Sequence, residues 1–226
     1  MLPFLDIHCH NPFKYKNKNV VSVSSISYGS SSSLTIPKDI YWHSVAVHPW
    51  DVQEFSSLDS LNFEKDLGHP RCIMIGETGL DRARANFELQ QEFFLKHLEI
   101  AKRLALPVML HCVRAYNEVQ RLLSKVNLRA PVIFHDYHGT LQETQTLMSK
   151  NCYFSFGPRL THASTKLLEA LKEIPSSRIF LETDDASIHI REVYECYSSL
   201  AGIKMEDLKL EILDNAKIFS RLLINF

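Results

Sequence analysis

The chain has 226 residues, with 25 Lys and Arg against 26 Asp and Glu and a formal net charge of −1 at pH 7. This balance excludes a strongly basic nucleic-acid coat protein, so a polyanionic substrate must be held by a local patch or by metal ions. Five widely spaced cysteines without a C-x-x-C pair favour reduced thiols over a disulfide framework. Because no signal peptide or long apolar span is visible, we expect a cytoplasmic protein outside the membrane.

Short apolar runs alternate with amphipathic stretches, a pattern that predicts βαβ units and a parallel sheet. The expected strands are residues 3–9, 20–26, 41–47, 72–77, 107–112, 131–135, 152–156 and 179–183. The expected helices are residues 86–105, 115–126, 140–150, 162–173, 190–201 and 206–223. Thr140 and Thr161 are the expected N-caps. Eight strands favour a closed barrel, so the predicted fold is α/β, a (β/α)8 TIM barrel forming a single domain over residues 1–226.

The N-terminal quarter is less regular than the rest. No helical pattern occurs between residues 27 and 41, where Ser30–Ser33 and Pro37 predict a surface loop. The basic run Lys14–Lys18 is either a lip that contacts a nucleic-acid strand or a solvated loop, and the second is more common. Several glycines lie at or just after predicted strand ends, where glycine permits close approach of the backbone to a ligand: Gly76, Gly79, Gly139 and Gly157.

Histidines and carboxylates follow several of the predicted strands. They are His8, His10, Glu77, His111, His135 and Asp184. In a parallel barrel the C-terminal strand ends lie on one face, where (β/α)8 enzymes build their active sites, so these residues would converge there. Each also has a structural interpretation, because a polar edge strand explains His8 and His10, and a satisfied core position explains His111 or His135.

The carboxylates strengthen the metal hypothesis. A buried lone carboxylate costs several kcal/mol unless it is paired or binds a metal, so without an ion Glu77 would need Arg82 or Arg84. Glu182, Asp184 and Asp185 crowd like charges after the last strand, and packing alone gives no reason for this. Together these groups suit one or two divalent cations such as Zn, Mn or Mg.

The motifs together resemble the TatD-type metal-dependent hydrolases and deoxyribonucleases, within the amidohydrolase-like group of barrels. The resemblance covers nearly the whole chain, although the chain is shorter than most relatives before residue 45. It rests on residues 6–10 (Asp-Ile-His-Cys-His), 46–49 (Ala-Val-His-Pro), 76–81 (Gly-Glu-Thr-Gly-Leu-Asp), 106–111, 134–139 and 181–184. It implies a mononuclear or dinuclear site. One ion would be held by His8, His10, Glu77 and Asp184, and the other by Glu77, His111 and His135.

Three stretches depart from the pattern of that family. The run His111–Ala115 displaces the usual arginine by one position, to Arg114. The run His135–Gly139 reads His-Asp-Tyr-His-Gly where His-Cys-Phe-Ser/Thr-Gly is usual. Asp185 follows Asp184 where Ala or Ser followed by Pro is usual. These changes concern substrate preference rather than metal binding.

A hydrolytic mechanism fits these residues. Two cations would lower the pKa of a bridging water to roughly 7, and Asp184 would act as general base. The other two expected catalytic residues are Glu77 and His48. His48 would hydrogen-bond a phosphate or carbonyl oxygen. The candidate substrate contacts are Arg82, Arg114, Arg159, Tyr137 and His138, with Trp50, Tyr137 and Phe87 as stacking faces. A surface arginine is otherwise usually solvated, and core or rim packing is the more common role for Phe87.

The leading hypothesis is a divalent-metal-dependent phosphodiesterase, a 3'-5' exonuclease-like enzyme that trims single-stranded ends. The alternative is an amidase, esterase or aminoacyl-ester deacylase that uses the same metals, because activated hydroxide also attacks carbonyls. A non-catalytic metal-binding protein is the remaining alternative. The expected partners are nucleic-acid ends or small ester substrates, with no membrane and no stable protein partner, in a monomer or weak oligomer.

Overall fold

Eight parallel strands in sequence order organise the fold. The structure is a computed structural model that describes residues 2–15, 19–29, 34, 36, 40–61 and 63–221. One sheet contains the eight strands in the order β1 to β8. Their bounds are β1 (Phe4–Cys9), β2 (Val20–Ser27), β3 (Trp42–Ala46), β4 (Cys72–Asp81), β5 (Val108–Val113), β6 (Val132–Phe134), β7 (Cys152–Phe156) and β8 (Ile179–Leu181).

Helices alternate with the strands from β3 onward. They are α1 (Phe63–Leu67), α2 (Phe87–Leu104), α3 (Tyr116–Val126), α4 (Leu141–Met148), α5 (Thr165–Glu173), α6 (Ile190–Ala201) and α7 (Met205–Asn215). A parallel bridge between Cys9 and Asp184 joins the segment after β8 to the end of β1. The predicted (β/α)8 TIM barrel is confirmed as the fold class. Among the described residues, no helix is long and apolar enough to cross a lipid bilayer.

Backbone contacts group the chain into two compact units. Unit 1 contains the residues up to Ser24 and those from Phe134 onward, and unit 2 contains Ser25–Ile133. In unit 1, β1 pairs with β2 and β7 pairs with β8, both in parallel. The hydroxyl of Tyr194 in α6 donates to the Leu5 carbonyl at 3.1 Å and so fixes this helix against β1. In unit 2, β4 lies between β3 and β5, and α2 packs on β4.

One of the two predicted helix caps is confirmed. Thr140 begins α4 with a capping box, in which its hydroxyl accepts from the Glu143 amide and the Glu143 side chain accepts from the Thr140 amide. The prediction for Thr161 is wrong. Its hydroxyl donates to the Pro158 carbonyl at 2.8 Å inside a 3-10 turn. Ser164 caps α5 instead, because its backbone is extended and its Oγ accepts from the Leu167 amide in the first turn of the helix.

Strand β4 continues to Asp81, beyond its predicted end, so Gly76 and Gly79 lie inside the strand. The prediction that they mark a strand end is therefore wrong. Gly79 has φ +148°, and a Cβ there would lie 2.0 Å from the His111 carbonyl oxygen. Only glycine tolerates both conditions, so the reason for these glycines is the close approach of β4 to β5.

Two N-terminal predictions lie partly outside the described residues. Ser30–Ser33 and Pro37 of the predicted loop are outside them, as are Lys16 and Lys18 of the basic run. The described residues between β2 and β3 form no helix. Lys14 is described, and its Nζ donates to Thr183 Oγ1 at 2.6 Å and to the Ala186 carbonyl at 3.0 Å. For Lys14, therefore, the solvated-loop interpretation is wrong, because its ammonium group is held by the segment after β8.

The fold predicts a loss of stability in acid through His97. This side chain of α2 is fully buried, and its ring accepts from the Val47 amide and donates to the Phe93 carbonyl. Burial lowers the pKa of His97 from 6.5 to about 4. As the pH falls from 6.5 to about 4, the unfolded chain binds a proton that the folded chain excludes. The free energy of unfolding should therefore fall by about 3 kcal/mol over this range because of His97.

Urea unfolding followed by circular dichroism between about pH 7 and about pH 4 measures this effect. We expect His97→Gln to flatten the dependence, because glutamine keeps an acceptor and a donor but binds no proton. His162→Gln is the matched control, since His162 is exposed. An equal fall in stability for the wild type and His97→Gln would contradict the prediction.

Candidate metal centre

Unit 1 carries a group of histidines and a carboxylate at the ends of its strands. The Nε2 atoms of His8 and His10 lie 3.4 and 3.3 Å from Asp184 Oδ1. The His135 ring follows β6, and its centroid lies 4.8 Å from that of His8. Nitrogen and carboxylate donors of His8, His135 and Asp184 lie within 4.8 Å of one another. These groups therefore have the spacing of ligands to a single cation.

Pairing of the backbone at β1 places Asp184 in this group. The Asp184 amide donates to the His8 carbonyl, and the His10 amide donates to the Asp184 carbonyl, both at 3.0 Å. Asp184 has φ +52°, a left-handed conformation that aspartate tolerates better than most residues. Burial alone raises the pKa of Asp184, but hydrogen bonds from His10 and His8 outweigh it and hold the pKa below its ordinary value. The carboxylate is therefore ionised and suited to a cation.

Asp6 stabilises the segment that carries Asp184. Its buried carboxylate accepts hydrogen bonds from the Tyr15 hydroxyl at 2.6 Å and from the Thr183 amide at 3.0 Å. Burial raises the pKa of Asp6 to about 6, although these hydrogen bonds act in the opposite direction. The network fixes Thr183, and with it the start of the Asp184 segment.

The tautomer of His135 is set by Glu182. The Glu182 carboxylate is fully buried, and its Oε1 lies 3.1 Å from His135 Nδ1 and accepts from the Asp136 amide at 2.7 Å. Because a carboxylate accepts, Nδ1 of His135 carries the proton, and Nε2 of the neutral ring keeps its lone pair. A histidine oriented by a carboxylate in this way is typical of metal ligands in proteins.

Unit 2 carries a second group of similar composition. Glu77 Oε1 lies 2.6 Å from His111 Nδ1 and 3.2 Å from His48 Nε2, and donor atoms of all three residues lie within 4.8 Å of one another. Glu77 and His111 are buried, in neighbouring strands β4 and β5. On the far side of its ring, His111 Nε2 lies 3.4 Å from Asp81 Oδ2. His111 thus repeats the arrangement of His135, with a carboxylate that orients the ring.

A backbone amide sets the tautomer of His48. The Trp50 amide donates to His48 Nδ1 at 3.2 Å, and a backbone amide can only donate. In the neutral ring the proton therefore sits on Nε2, which faces Glu77. A protonated Nε2 has no lone pair for a metal. His48 is consequently a hydrogen-bond donor towards Glu77, and its expected contact with a substrate oxygen stays a prediction.

Asp81 is held by several partners. Trp50 Nε1 donates to its Oδ2 at 2.8 Å, and the Ala83 amide donates to its Oδ1 at 2.9 Å. Burial alone raises the pKa of Asp81, but these hydrogen bonds outweigh it and keep the pKa below its ordinary value. Gln90 of α2 accepts from the Asp81 amide at 2.8 Å and fixes the end of β4. Asp81 therefore offers His111 a charged, immobile acceptor.

Comparison with known proteins identifies the family. Residues 5–220 match the family described as TatD related DNase. The chain belongs to the TatD family. It is accordingly a metal-dependent hydrolase that acts on ester bonds, and its imidazole and carboxylate donors fit a divalent cation.

Individual TatD relatives are similar over much of the chain. YabD of Bacillus subtilis, described as an uncharacterized metal-dependent hydrolase, is 26% identical over 201 residues, which cover 81% of this chain and 79% of YabD. The 3'-5' ssDNA/RNA exonuclease TatD of Cronobacter sakazakii is 32% identical over 149 residues, which cover 63% of this chain and 56% of that protein. YjjV, the TatD homologue of Escherichia coli K12, has a solved structure that covers 96% of this chain with a TM-score of 0.82 at 21% identity, and 97% of its own chain is covered.

The residues expected to contact substrate in this TatD-family chain differ in exposure and in their hydrogen-bond partners. Arg159 donates to the Asp136 carboxylate with Nε and Nη2, and Arg82 pairs with Glu118 and lies over the Phe87 ring. Arg114 is exposed, with φ +53°, directly after β5. His138 is half-buried, and its Nδ1 lies 2.8 Å from the Asp136 carbonyl oxygen.

Tyr137 is a core residue. It is 1% exposed, its hydroxyl bonds Thr144 at 2.7 Å, and its ring packs on Phe154. It therefore offers no face for a substrate to stack on. The sequence did not assign Asp81 as an orienting carboxylate, although its position two residues after Gly79 on an extended strand was a usable signal.

The TatD-family site predicts an effect of Glu182 on metal affinity. Glu182→Gln should lower affinity for Mn²⁺ or Zn²⁺ about 10- to 100-fold, because an amide no longer fixes the proton on His135 Nδ1. Isothermal titration of chelator-treated protein measures the affinity. Glu169→Gln, at an exposed position of α5, is the matched control. Unchanged affinity in Glu182→Gln would show that the His135 tautomer does not depend on Glu182.

Proposed function

We propose that the protein is a divalent-metal-dependent phosphodiesterase that trims the 3′ ends of single-stranded nucleic acid. The observation that carries the proposal is the clustering of imidazole and carboxylate donors at the spacing of metal ligands, in which His111 and His135 each face a carboxylate that can orient the ring. Support for the substrate comes from relatives named 3'-5' ssDNA/RNA exonuclease.

The proposed ligands are those that the family resemblance implies. His8, His10, Glu77 and Asp184 would hold one ion, and Glu77, His111 and His135 would hold the other. The proposal is supported by the placement of these residues at or near C-terminal strand ends, which share one face in a (β/α)8 barrel. Mg²⁺, Mn²⁺ and Zn²⁺ all accept this mixture of imidazole and carboxylate donors.

The residues of the chain have distinct proposed roles. A bound divalent cation supplies Lewis acidity and lowers the pKa of water towards neutrality. Asp184 is ionised, and it accepts the proton of the attacking water and passes it to the leaving oxygen. The Nε2–H of His48, which faces Glu77, would turn to a non-bridging oxygen of the ester and stabilise the charge that develops there. Asp81 and Glu182 act through the histidines that they orient.

The test is a cleavage assay on a single-stranded oligonucleotide labelled at its 5′ end. The protein is stripped with a chelator, and Mg²⁺, Mn²⁺ or Zn²⁺ is then restored separately. We expect stepwise shortening from the 3′ end that needs metal. A copy labelled at its 3′ end should lose the label in the first step. Metal-loaded protein that cleaves neither oligonucleotide would refute the proposal.

A second candidate is hydrolysis of a carbonyl ester or amide with the same metals. The observation in its favour is that Arg159 and Arg82 already bind carboxylates, which reduces the positive charge available to a phosphate. A panel of aminoacyl esters, carboxylic esters and amides measures this activity. Turnover confined to carbonyl substrates would replace the phosphodiesterase proposal with this candidate.

A further inference from the structure

Trp50 is an exposed indole fixed beside the unit 2 group. The residue is 45% exposed, yet its Nε1 donates to the buried Asp81 carboxylate at 2.8 Å. Its ring centroid lies 5.0 Å from that of His48 and 5.9 Å from that of His111. An exposed aromatic side chain normally turns between rotamers, whereas a hydrogen bond to an ionised carboxylate holds this one. The indole is therefore a preorganised aromatic surface in contact with two histidines of the candidate site.

Arg84 covers part of this surface. Its guanidinium carbon lies 4.0 Å from the centroid of the Trp50 ring, and its side chain is exposed. A cation over an exposed ring is held more weakly than a nucleobase stacked on an aromatic side chain. A base can consequently replace the guanidinium on the indole. The displaced guanidinium, still within reach, matches the geometry of a phosphate with two N–H donors.

We propose that Trp50 determines specificity by stacking on the base of the terminal nucleotide, while Arg84 moves from the ring to a phosphate of that nucleotide. This inference rests on the proposed function and deepens it. The substrate class is a nucleotide end with an intact base, as opposed to an aliphatic ester or an abasic end. Base stacking accepts every base, so discrimination among the four bases is weak.

A binding experiment tests stacking without hydrolysis. The chain contains two tryptophans, and Trp42 is buried, so Trp42→Phe leaves Trp50 as the single indole. We expect thymidine 5′-monophosphate to quench its fluorescence to saturation, and deoxyribose 5-phosphate to leave it unchanged. The same titration of Trp50→Leu should show no saturable quenching. Equal responses to the two ligands would overturn the proposal. If Trp42→Phe unfolds, the quenching of Trp50 is obtained as the difference in quenching between the wild type and Trp50→Leu.

Kinetics test the effect on specificity. Two oligonucleotides are compared, one with a normal 3′-terminal base and one with an abasic residue there. Trp50→Leu should lower kcat/KM on the normal end about tenfold more than on the abasic end, a difference equivalent to about 1.4 kcal/mol. Trp50→Phe keeps an aromatic face and should retain the preference for the normal end. An equal loss on both ends would overturn the proposal, because it would mean that Trp50 only supports His48 and Asp81.

Tyr41→Leu is the matched control. Tyr41 precedes β3, at the end opposite to His48, and is 57% exposed with the Arg71 guanidinium carbon 4.4 Å from its ring centroid. Tyr41 therefore shares the exposure and the cationic neighbour of Trp50 but does not lie at the site. Its replacement should leave kcat/KM unchanged on both oligonucleotides. Fluorescence quenching by the nucleotide without any cleavage by the wild type would refute the proposed function while supporting the stacking surface.

Discussion

Replacing Glu77 with Gln is expected to abolish hydrolysis, with a loss of at least about 10³-fold in kcat. This exceeds the roughly 10- to 100-fold cost of losing a residue that only orients a ligand. Glu77 is buried, and its Oε1 is within reach of both His111 and His48. Glutamine has the same shape but no charge, so the substitution removes the anion that a cation in this group needs while the volume stays filled.

Three measurements on Glu77→Gln separate the possible causes. Metal content by mass spectrometry should fall, thermal unfolding should show a folded protein, and the oligonucleotide assay should show no shortening. Glu88→Gln is the matched control, because Glu88 is an exposed carboxylate in the first turn of α2. Full activity in Glu77→Gln with metal restored would remove Glu77 from the proposed ligands and from the catalytic residues.

Asp184→Asn is expected to lower kcat by about 10²- to 10⁴-fold, the range for loss of a general acid or base. Asparagine is the informative replacement because, like aspartate, it tolerates the left-handed backbone that Asp184 adopts at φ +52°. Alanine would add backbone strain and confuse a structural loss with a chemical one. The amide of asparagine neither binds a cation strongly nor accepts the proton of an attacking water.

The neighbouring carboxylate provides the control for Asp184. Asp185→Asn removes the same charge from the next residue, which is exposed, and should leave kcat within a small factor of the wild type. Single-turnover assays at saturating metal distinguish a loss of chemistry from a loss of metal affinity. Similar losses in Asp184→Asn and Asp185→Asn would mean that the net charge of this segment matters and that Asp184 has no separate role.

The strands were predictable because their runs of Val, Ile and Phe are short and are bounded by polar residues. β7 has the predicted bounds, and the other strands agree to within a few residues, apart from the C-terminal end of β4. Glu77 and Gly79 looked like a strand end because a polar residue and glycine usually interrupt a strand. In β4 both residues are internal. The sequence does not reveal this, because the requirement for glycine comes from the close passage of β5 beside Gly79.

The members of the candidate site were also visible in the sequence, but their hydrogen-bond partners were not. The proton on His48 is decided by the Trp50 amide two residues later, which depends on the turn that the chain makes at Pro49. The proton on His135 is decided by Glu182, which is distant in sequence. Tyr137 shows a further limit, because periodicity does not tell a rim aromatic from a core aromatic in an irregular segment.

The arginines around the candidate site are largely held by the protein itself. Arg82 binds Glu118, and Arg159 binds Asp136. Few phosphates can then be neutralised at once, and each one neutralised on a single strand steepens the salt dependence of affinity by only about 0.7 in log–log slope. An enzyme that grips its substrate by so few charges releases the shortened strand readily. Under the proposed function, degradation would thus be distributive, with the enzyme moving between strands after each cut instead of following one strand to its end.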